Sequence, residues 1–205
     1  MVLYYVHDPM CSWCWGFRPT WLKIQAALSD DIEVRYLLGG LAPDNDEQMS
    51  KSMQLDIASF WEKIQHHISG TEFNFDFWDK CKPRRSTYPA CRAVIAARMQ
   101  AAELEKPMIE AIQRAYYLKA KNPSDDETLI TIAENLGLDA STFSANLNAM
   151  ETQQQLESEI MFARKIGAQG FPSMIIEHQG EFQAVPLDYN NSEPTLNMII
   201  NIAEQ

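Results

Sequence analysis

Hydrophobic and polar positions follow two different periods along this chain, and the changes of period mark its organisation. Residues 2–6, Val-Leu-Tyr-Tyr-Val, run without a polar break until His7-Asp8-Pro9, which predicts a buried strand. Apolar residues then recur at helical spacing, with Trp15, Leu22 and Ala26 among them, until Ser29-Asp30-Asp31 interrupts the pattern after Leu28. Pro19 lies inside that helix and is expected to kink it or divide it in two. Residues 32–38, Ile-Glu-Val-Arg-Tyr-Leu-Leu, predict a second strand closed by Gly39-Gly40, parallel to the first if the helix is a crossover. A β-α-β unit is therefore expected at the start of the chain.

From residue 45 to 166 the pattern turns helical, with expected segments at 47–68, 88–104, 108–119, 126–136, 141–149 and 151–166. Gly70, Pro83, Pro107, Pro123 and Gly137 separate them, and capping signals stand at Ser124-Asp125-Asp126-Glu127 and Ser141. After Gly167 strand signals return: Ser173 to Glu177, a turn at His178-Gln179-Gly180, and Glu181 to Val185 predict a β-hairpin. A final helix is expected from about Glu193 to Ala203, with Pro194 in its first turn. The predicted order is βαβ, a helical block, then ββα. That is an α/β fold in which 1–44 and 167–205 form one domain and 45–166 is a helical domain inserted into it.

Composition narrows the function classes. The chain has 205 residues, 46% hydrophobic and 22% charged, enough to bury a core in one domain carrying an insertion. Its formal net charge of −11 argues against nucleic acid or anionic membrane as partners, since both require clustered Lys and Arg. The first residues carry no cationic leader and no apolar run approaches the ~20 residues of a membrane span, so a soluble, cytoplasmic protein is expected.

Four cysteines occur, at 11, 14, 81 and 91. Cys11-Ser12-Trp13-Cys14 falls where a predicted strand gives way to a helix, and a helix N-terminus stabilises an anion. Cys11 is therefore expected to have its pKa lowered from ~8.5 and to act as the attacking thiolate, with Cys14 one turn on as the resolving thiol. The pair could instead be half a zinc site or two buried structural cysteines. Cys81 and Cys91, with nine residues between them, supply no second C-x-x-C, so no metal is expected. Gly170-Phe171-Pro172-Ser173 stands directly before the hairpin.

With a C-x-x-C at the first strand–helix junction, helices inserted after a βαβ unit, and G-F-P-S before a ββα unit, the whole chain resembles the DsbA-like group of thioredoxin folds. Asp8-Pro9-Met10-Cys11-Ser12-Trp13-Cys14-Trp15-Gly16-Phe17 is similar to its cytoplasmic branch of FrnE-type proteins and relatives of 2-hydroxychromene-2-carboxylate isomerase. The resemblance implies that Pro172 is cis and faces the nucleophilic cysteine, with the backbone of Phe171 free to pair with an extended substrate. It implies a thiol–disulfide oxidoreductase acting on protein disulfides or on glutathione, with no tightly bound cofactor and glutathione as the candidate co-substrate. Two departures matter. Ser12-Trp13 replaces the Pro-His of periplasmic DsbA, so its oxidising power does not carry over and redox direction stays open. The isomerases carry serine where this chain has Cys11, which makes a glutathione-dependent isomerase or transferase the alternative. A redox-sensing or chaperone-like binding protein is the non-enzymatic one.

Other residues have plainer expectations. His7 and Asp8 are expected in a solvated turn, with modulation of the thiolate as the competing role. Cys91, where FrnE-type relatives often have histidine, is expected to be a buried helical cysteine rather than a third active-site thiol. Cys81, between Lys80 and Lys82, is expected at the surface. Trp13 is expected to line a substrate groove, and Trp15 and Phe17 to pack in the core. Asp44, Asp46 and Glu47, like Asp125 to Glu127, are expected to cap helices and face solvent.

Overall fold

A computed structural model describes residues 1–203; Glu204 and Gln205, the end of the expected segment 167–205, lie outside the described residues. The elements are β1 (Val2–His7), α1 (Ser12–Ala27), β2 (Glu33–Leu38), α2 (Lys51–His67), α3 (Phe77–Lys80), α4 (Tyr88–Gln100), α5 (Glu105–Lys119), α6 (Asp126–Asn135), α7 (Ala140–Leu147), α8 (Met150–Lys165), β3 (Ser173–His178), β4 (Glu181–Val185) and α9 (Ser192–Ala203).

The four strands form one sheet in the order β2-β1-β3-β4. β1 pairs in parallel with β2 and antiparallel with β3, and β3 pairs antiparallel with β4. The near-continuous apolar run of β1 follows from its central place, because both of its faces are covered. Leu3 and Tyr5 point into a cluster with Phe17, Trp21 and Ile24 of α1 and Ile199 and Ile202 of α9. Tyr4 and Val6 point the other way, toward Ala163 of α8, with Ile166 and Ile175. Gln179 and Gly180 both have positive φ, the backbone that a two-residue hairpin turn requires.

The helices between β2 and β3 have a third core, centred on α4, which packs against α5, α6, α7 and α8. Residues 89–97 of α4 are all buried, and its alanines let the neighbouring helices approach on every side. Arg92, buried in this helix, is matched by Asp44 in a two-pronged pair and by the carbonyl of Leu147. Trp61 of α2 is fully buried among Phe73, Phe77, Tyr116 and Tyr117, a site where truncation to alanine costs about 3–5 kcal/mol.

Several boundaries differ from expectation for identifiable reasons. α1 runs unbroken from Ser12 to Ala27, because Pro19 sits on its exposed side where water can serve the carbonyl left without a partner. The segment expected at 88–104 ends as an α-helix at Gln100 and continues as a 3-10 turn at Ala102–Leu104. α5 then begins at Glu105 and takes Pro107 into its first turn, where a missing N–H is no loss. The cap of α7 is Asp139, which accepts from the Thr142 N–H at 2.7 Å, while Ser141 donates its hydroxyl to the same carboxylate. Ser124 caps nothing and donates instead to the Ser86 carbonyl at 2.6 Å. Among the described residues no helix is long and apolar enough to cross a membrane, and no cluster of three acidic, His or Cys side chains is placed to hold a metal ion.

Candidate active site

The site begins with a turn. Asp8-Pro9-Met10-Cys11 reverses the chain between β1 and α1, with the Cys11 N–H on the Asp8 carbonyl at 3.0 Å and the Met10 N–H on the Asp8 carboxylate at 2.8 Å. Cys11 thereby takes the N-cap position of α1 with an extended backbone, and Cys14 lies one turn along. Both cysteines are free thiols, Cys11 7% exposed and Cys14 1%.

Their environments separate them. The Cys11 thiol is pushed down, first by hydrogen bonding from the Cys14 thiol and then by the backbone N–H groups of Cys14 and Trp13; burial and the Asp8 charge oppose this. The Cys14 thiol is driven well above its ordinary range, first by burial and then by Cys11. When the reduced pair loses one proton, it is therefore Cys11 that becomes the thiolate while Cys14 stays a neutral thiol.

In front of Cys11 lies a cavity of about 560 Å³, lined by Met10, Ser12, Trp13, Leu41, Met53, Ile57, Phe60, Arg85 and Phe171 among others. Phe171 belongs to the loop before β3, and its carbonyl accepts from Cys11 Sγ at 3.4 Å. Gly39 makes this possible: a Cβ there would stand 1.9 Å from the Phe171 ring. The Phe171–Pro172 peptide is cis, and Pro172 is buried beneath the rim. The structure therefore brings Cys11, Trp13 and Phe171 together at one opening. Cys14 faces a separate cavity of about 260 Å³ shared with Tyr5, His7, Trp21 and Tyr36.

His7 and Asp8 correct the expectation of a solvated turn. Both are buried: α4 and the segment after β2 cover Asp8, and Tyr5 and Tyr36 lie against His7. Burial lowers the His7 imidazole to about 3, so it is neutral, and it lies stacked on Tyr5. The Asp8 carboxylate is raised by burial, against hydrogen bonds from Thr87, Leu41, Met10 and Cys91. Cys91 is buried as expected, yet it also reaches this site, with Sγ 3.5 Å from Asp8 Oδ2. Cys81 is half-buried rather than a surface thiol: it donates to the Ala120 carbonyl at 3.2 Å, burial raises it, and Lys80 is turned away to Asp76. Phe17 is fully buried, whereas Trp15 is partly exposed, stacked on Tyr117 with its N–H on the Glu72 carbonyl. Asp44 faces solvent only in part, since it holds Arg92.

Sequence reasoning missed the wall contributed by α2. Met53, Ile57 and Phe60 recur at spacings of four and three on that helix, a second apolar stripe beside the buried one of Trp61, Ile64 and Ile68, and this spacing was a usable signal.

Comparison with known proteins agrees with the architecture. The profile of a family described as Thioredoxin matches residues 4–193. A candidate protein disulfide isomerase from Nitrosomonas europaea has a solved structure with a TM-score of 0.86 at 26% identity, covering 100% of this chain and 98% of that one. The cytosolic disulfide reductase DsbM from Pseudomonas aeruginosa gives a TM-score of 0.78 at 23% identity, with 100% and 99% covered. DsbM has also been solved with GSH, at a TM-score of 0.77 and 22% identity, with 100% of both chains covered. The ClpXP adapter protein SpxH of Bacillus subtilis (strain 168) is 24% identical over 192 residues, 92% of this chain and 63% of SpxH. The chain thus spans less than two thirds of that relative's length. The α/β fold expected from the motifs, and its likeness to the DsbA-like group, are borne out.

Proposed function

The chain belongs to the thioredoxin family, and on that premise we propose that it is a thiol–disulfide oxidoreductase working through Cys11 and Cys14. The observation that carries this reading is the split between the two thiols: one favoured as thiolate at a helix N-terminus on an apolar mouth, the other kept protonated behind it.

The Cys11 thiolate attacks one sulfur of a substrate disulfide, forming a mixed disulfide and expelling a substrate thiolate. Cys14 then gives up its proton and attacks Cys11 Sγ; the enzyme disulfide forms and the second substrate sulfur leaves as a thiol. Two electrons pass to the substrate, and two molecules of a small thiol return them by leaving as their own disulfide. Trp13 and Phe171 flank the attacked sulfur, and Pro172 fixes the loop that presents the Phe171 carbonyl. Protein disulfides suit the apolar wall of the mouth; glutathione is the proposed small thiol, a reading supported by the likeness to DsbM. A cytoplasmic location is supported by the same likeness to a cytosolic reductase. We further propose that 45–166 is a helical domain inserted between 1–44 and 167–205, without a tightly bound cofactor.

A second reading has an observation of its own, since the curated relatives matched across most of this chain are ClpXP adapter proteins. A binding role predicts capture of a partner protein without turnover. Insulin reduction or scrambled-ribonuclease refolding separates the two: wild-type protein turns over, and Cys11→Ser does not. Activity of Cys11→Ser equal to wild type sinks the oxidoreductase reading, while saturable glutathione binding with turnover that survives Cys14→Ala favours the isomerase chemistry instead.

A further inference from the structure

Asp8 is a fully buried carboxylate three positions before the nucleophile. Its oxygens accept from three segments of the chain. Met10 N–H meets Oδ1 at 2.8 Å; Leu41 N–H at 2.7 Å, Thr87 O–H at 2.6 Å and Cys91 S–H at 3.5 Å meet Oδ2. The two backbone N–H groups can only donate, one to each carboxyl oxygen, so both oxygens carry a partner that needs a lone pair. These donors favour the ionised form, against the burial that raises the carboxyl. Among the described residues nothing around it supplies a counter-charge: burial keeps His7, Cys91, Tyr116 and Tyr117 neutral. Arg85, the cation of the mouth, stands near Tyr116, and among the described residues Asp8 has no ion pair with Lys or Arg.

The turn holds Asp8 beside Cys11, whose N–H is bonded to the Asp8 carbonyl, and the carboxyl charge acts to raise the Cys11 thiol. Both residues are buried, so solvent screens the interaction weakly. A thiolate on Cys11 exists only in the reduced protein, and a negative neighbour disfavours it. Destabilising the reduced form favours the disulfide and lowers the reduction potential.

We propose, resting on the oxidoreductase reading, that the Asp8 carboxylate is a positioning residue whose fixed charge biases the Cys11–Cys14 couple toward the disulfide, making the protein a reductant of substrate disulfides. The reduced dithiol plus a substrate disulfide gives the enzyme disulfide and two substrate thiols, and a small-thiol reductant restores the dithiol. Thr87 and Cys91 place the first turn of α4 in this device, so the helical block helps set the chemistry of a pair that lies on α1.

Reduction potential measures this without reference to turnover. In glutathione buffers at pH 8, Asp8→Asn is expected to favour the dithiol about tenfold more than wild type, a rise of ~30 mV in a two-electron couple. The pH profile of Cys11 alkylation by iodoacetamide is expected to move about one unit lower in the same variant. The potential difference is expected to fade as pH falls through the Cys11 pKa, where the thiolate disappears. Loss of packing alone lowers the melting temperature and moves neither readout. Should Asp8→Asn fail to fold, the ¹³C carboxyl shift of Asp8 in wild-type protein decides, since the proposal requires a carboxylate at pH 7. A protonated Asp8, or a folded Asp8→Asn with wild-type potential and alkylation profile, overturns it. If no Cys11–Cys14 disulfide forms in any glutathione buffer, it is the oxidoreductase reading itself that falls.

Discussion

The cavity before Cys11 and the cavity behind Cys14 open from the same turn of one helix, yet they are built differently. The first, about 560 Å³, has exposed apolar side chains on its rim: Met53 is 39% and Phe60 45% exposed. The second, about 260 Å³, is walled by Tyr5, His7 and Trp21, each less than 5% exposed, with Arg18 bound to Glu110 across its edge at 2.6 Å. One side is walled by the apolar stripe of α2; the other has the sheet's aromatic core as its floor, with Leu22 and Arg18 at its edge. Two chemically identical thiols acquire opposite tendencies from this, because the helix N-terminus and the mouth serve Cys11 while burial governs Cys14.

The largest expected effect tests that division directly. Cys11→Ser should lower multiple-turnover reduction by on the order of 10³-fold or more, since no thiolate remains to attack. Cys14→Ala should lose multiple turnover as well, but accumulate a mixed disulfide on Cys11, visible by mass spectrometry as the protein plus substrate. Equal trapping by both variants would dissolve the distinction between the sides.

The next effect concerns the Cys14 side. His7 has a folded pKa of about 3, below its unfolded value of ~6.5, so the unfolded chain takes up a proton that the folded chain does not. Its neutral burial contributes stability that is present above pH ~6.5 and lost as pH falls, by about 2 kcal/mol at pH 5. Denaturant unfolding of wild type and His7→Phe between pH 7 and 5 should give a steeper loss in wild type; identical slopes would mean that His7 is solvated in the folded protein.

A tenfold effect follows at the thiols. In reduced wild-type protein at pH 7, with the alkylated site read by peptide mass spectrometry, Cys11 should react with iodoacetamide at least about tenfold faster than Cys14, since one pKa unit is a factor of ten and Cys14 is also less accessible. Comparable rates would place both cysteines in one environment.

What the chain revealed beforehand follows the range of the interactions involved. Strand periods, the helical block and the strand–helix position of Cys11 and Cys14 are local patterns, and they are where the periodicity puts them. For Asp8, in a polar pair that ends a strand, the local pattern means a solvated turn. Its partners Thr87 and Cys91 lie 79 and 83 positions away, and no local pattern joins them. Cys81 was misread similarly, since Lys80 and Lys82 are its neighbours in sequence whereas the Ala120 carbonyl, 39 positions on, is its partner in space. The four-residue α3 is too short to show a period. The stripe Met53, Ile57 and Phe60 is the exception, legible in principle but hidden by the stronger buried stripe of the same helix.

That stripe yields the smallest effect and the one that bears on what the mouth is for. If the apolar wall of α2 holds a protein substrate, Phe60→Ala removes a contact that is only partly buried, worth about 0.6 kcal/mol or a threefold rise in KM. The alkylation rate of Cys11 should not change, because Phe60 belongs to the opening and not to the thiol's immediate partners. Leu22→Ala is the matched control: Leu22 is 46% exposed, as Phe60 is, but it lines the cavity on the Cys14 side. Steady-state reduction of an unfolded protein disulfide and of oxidised glutathione by both variants separates the cases. A rise in KM for the protein substrate alone, in Phe60→Ala alone, assigns the α2 wall to polypeptide. Equal changes in both variants would mean that exposed apolar area matters wherever it lies, and that the mouth has no special claim on the substrate.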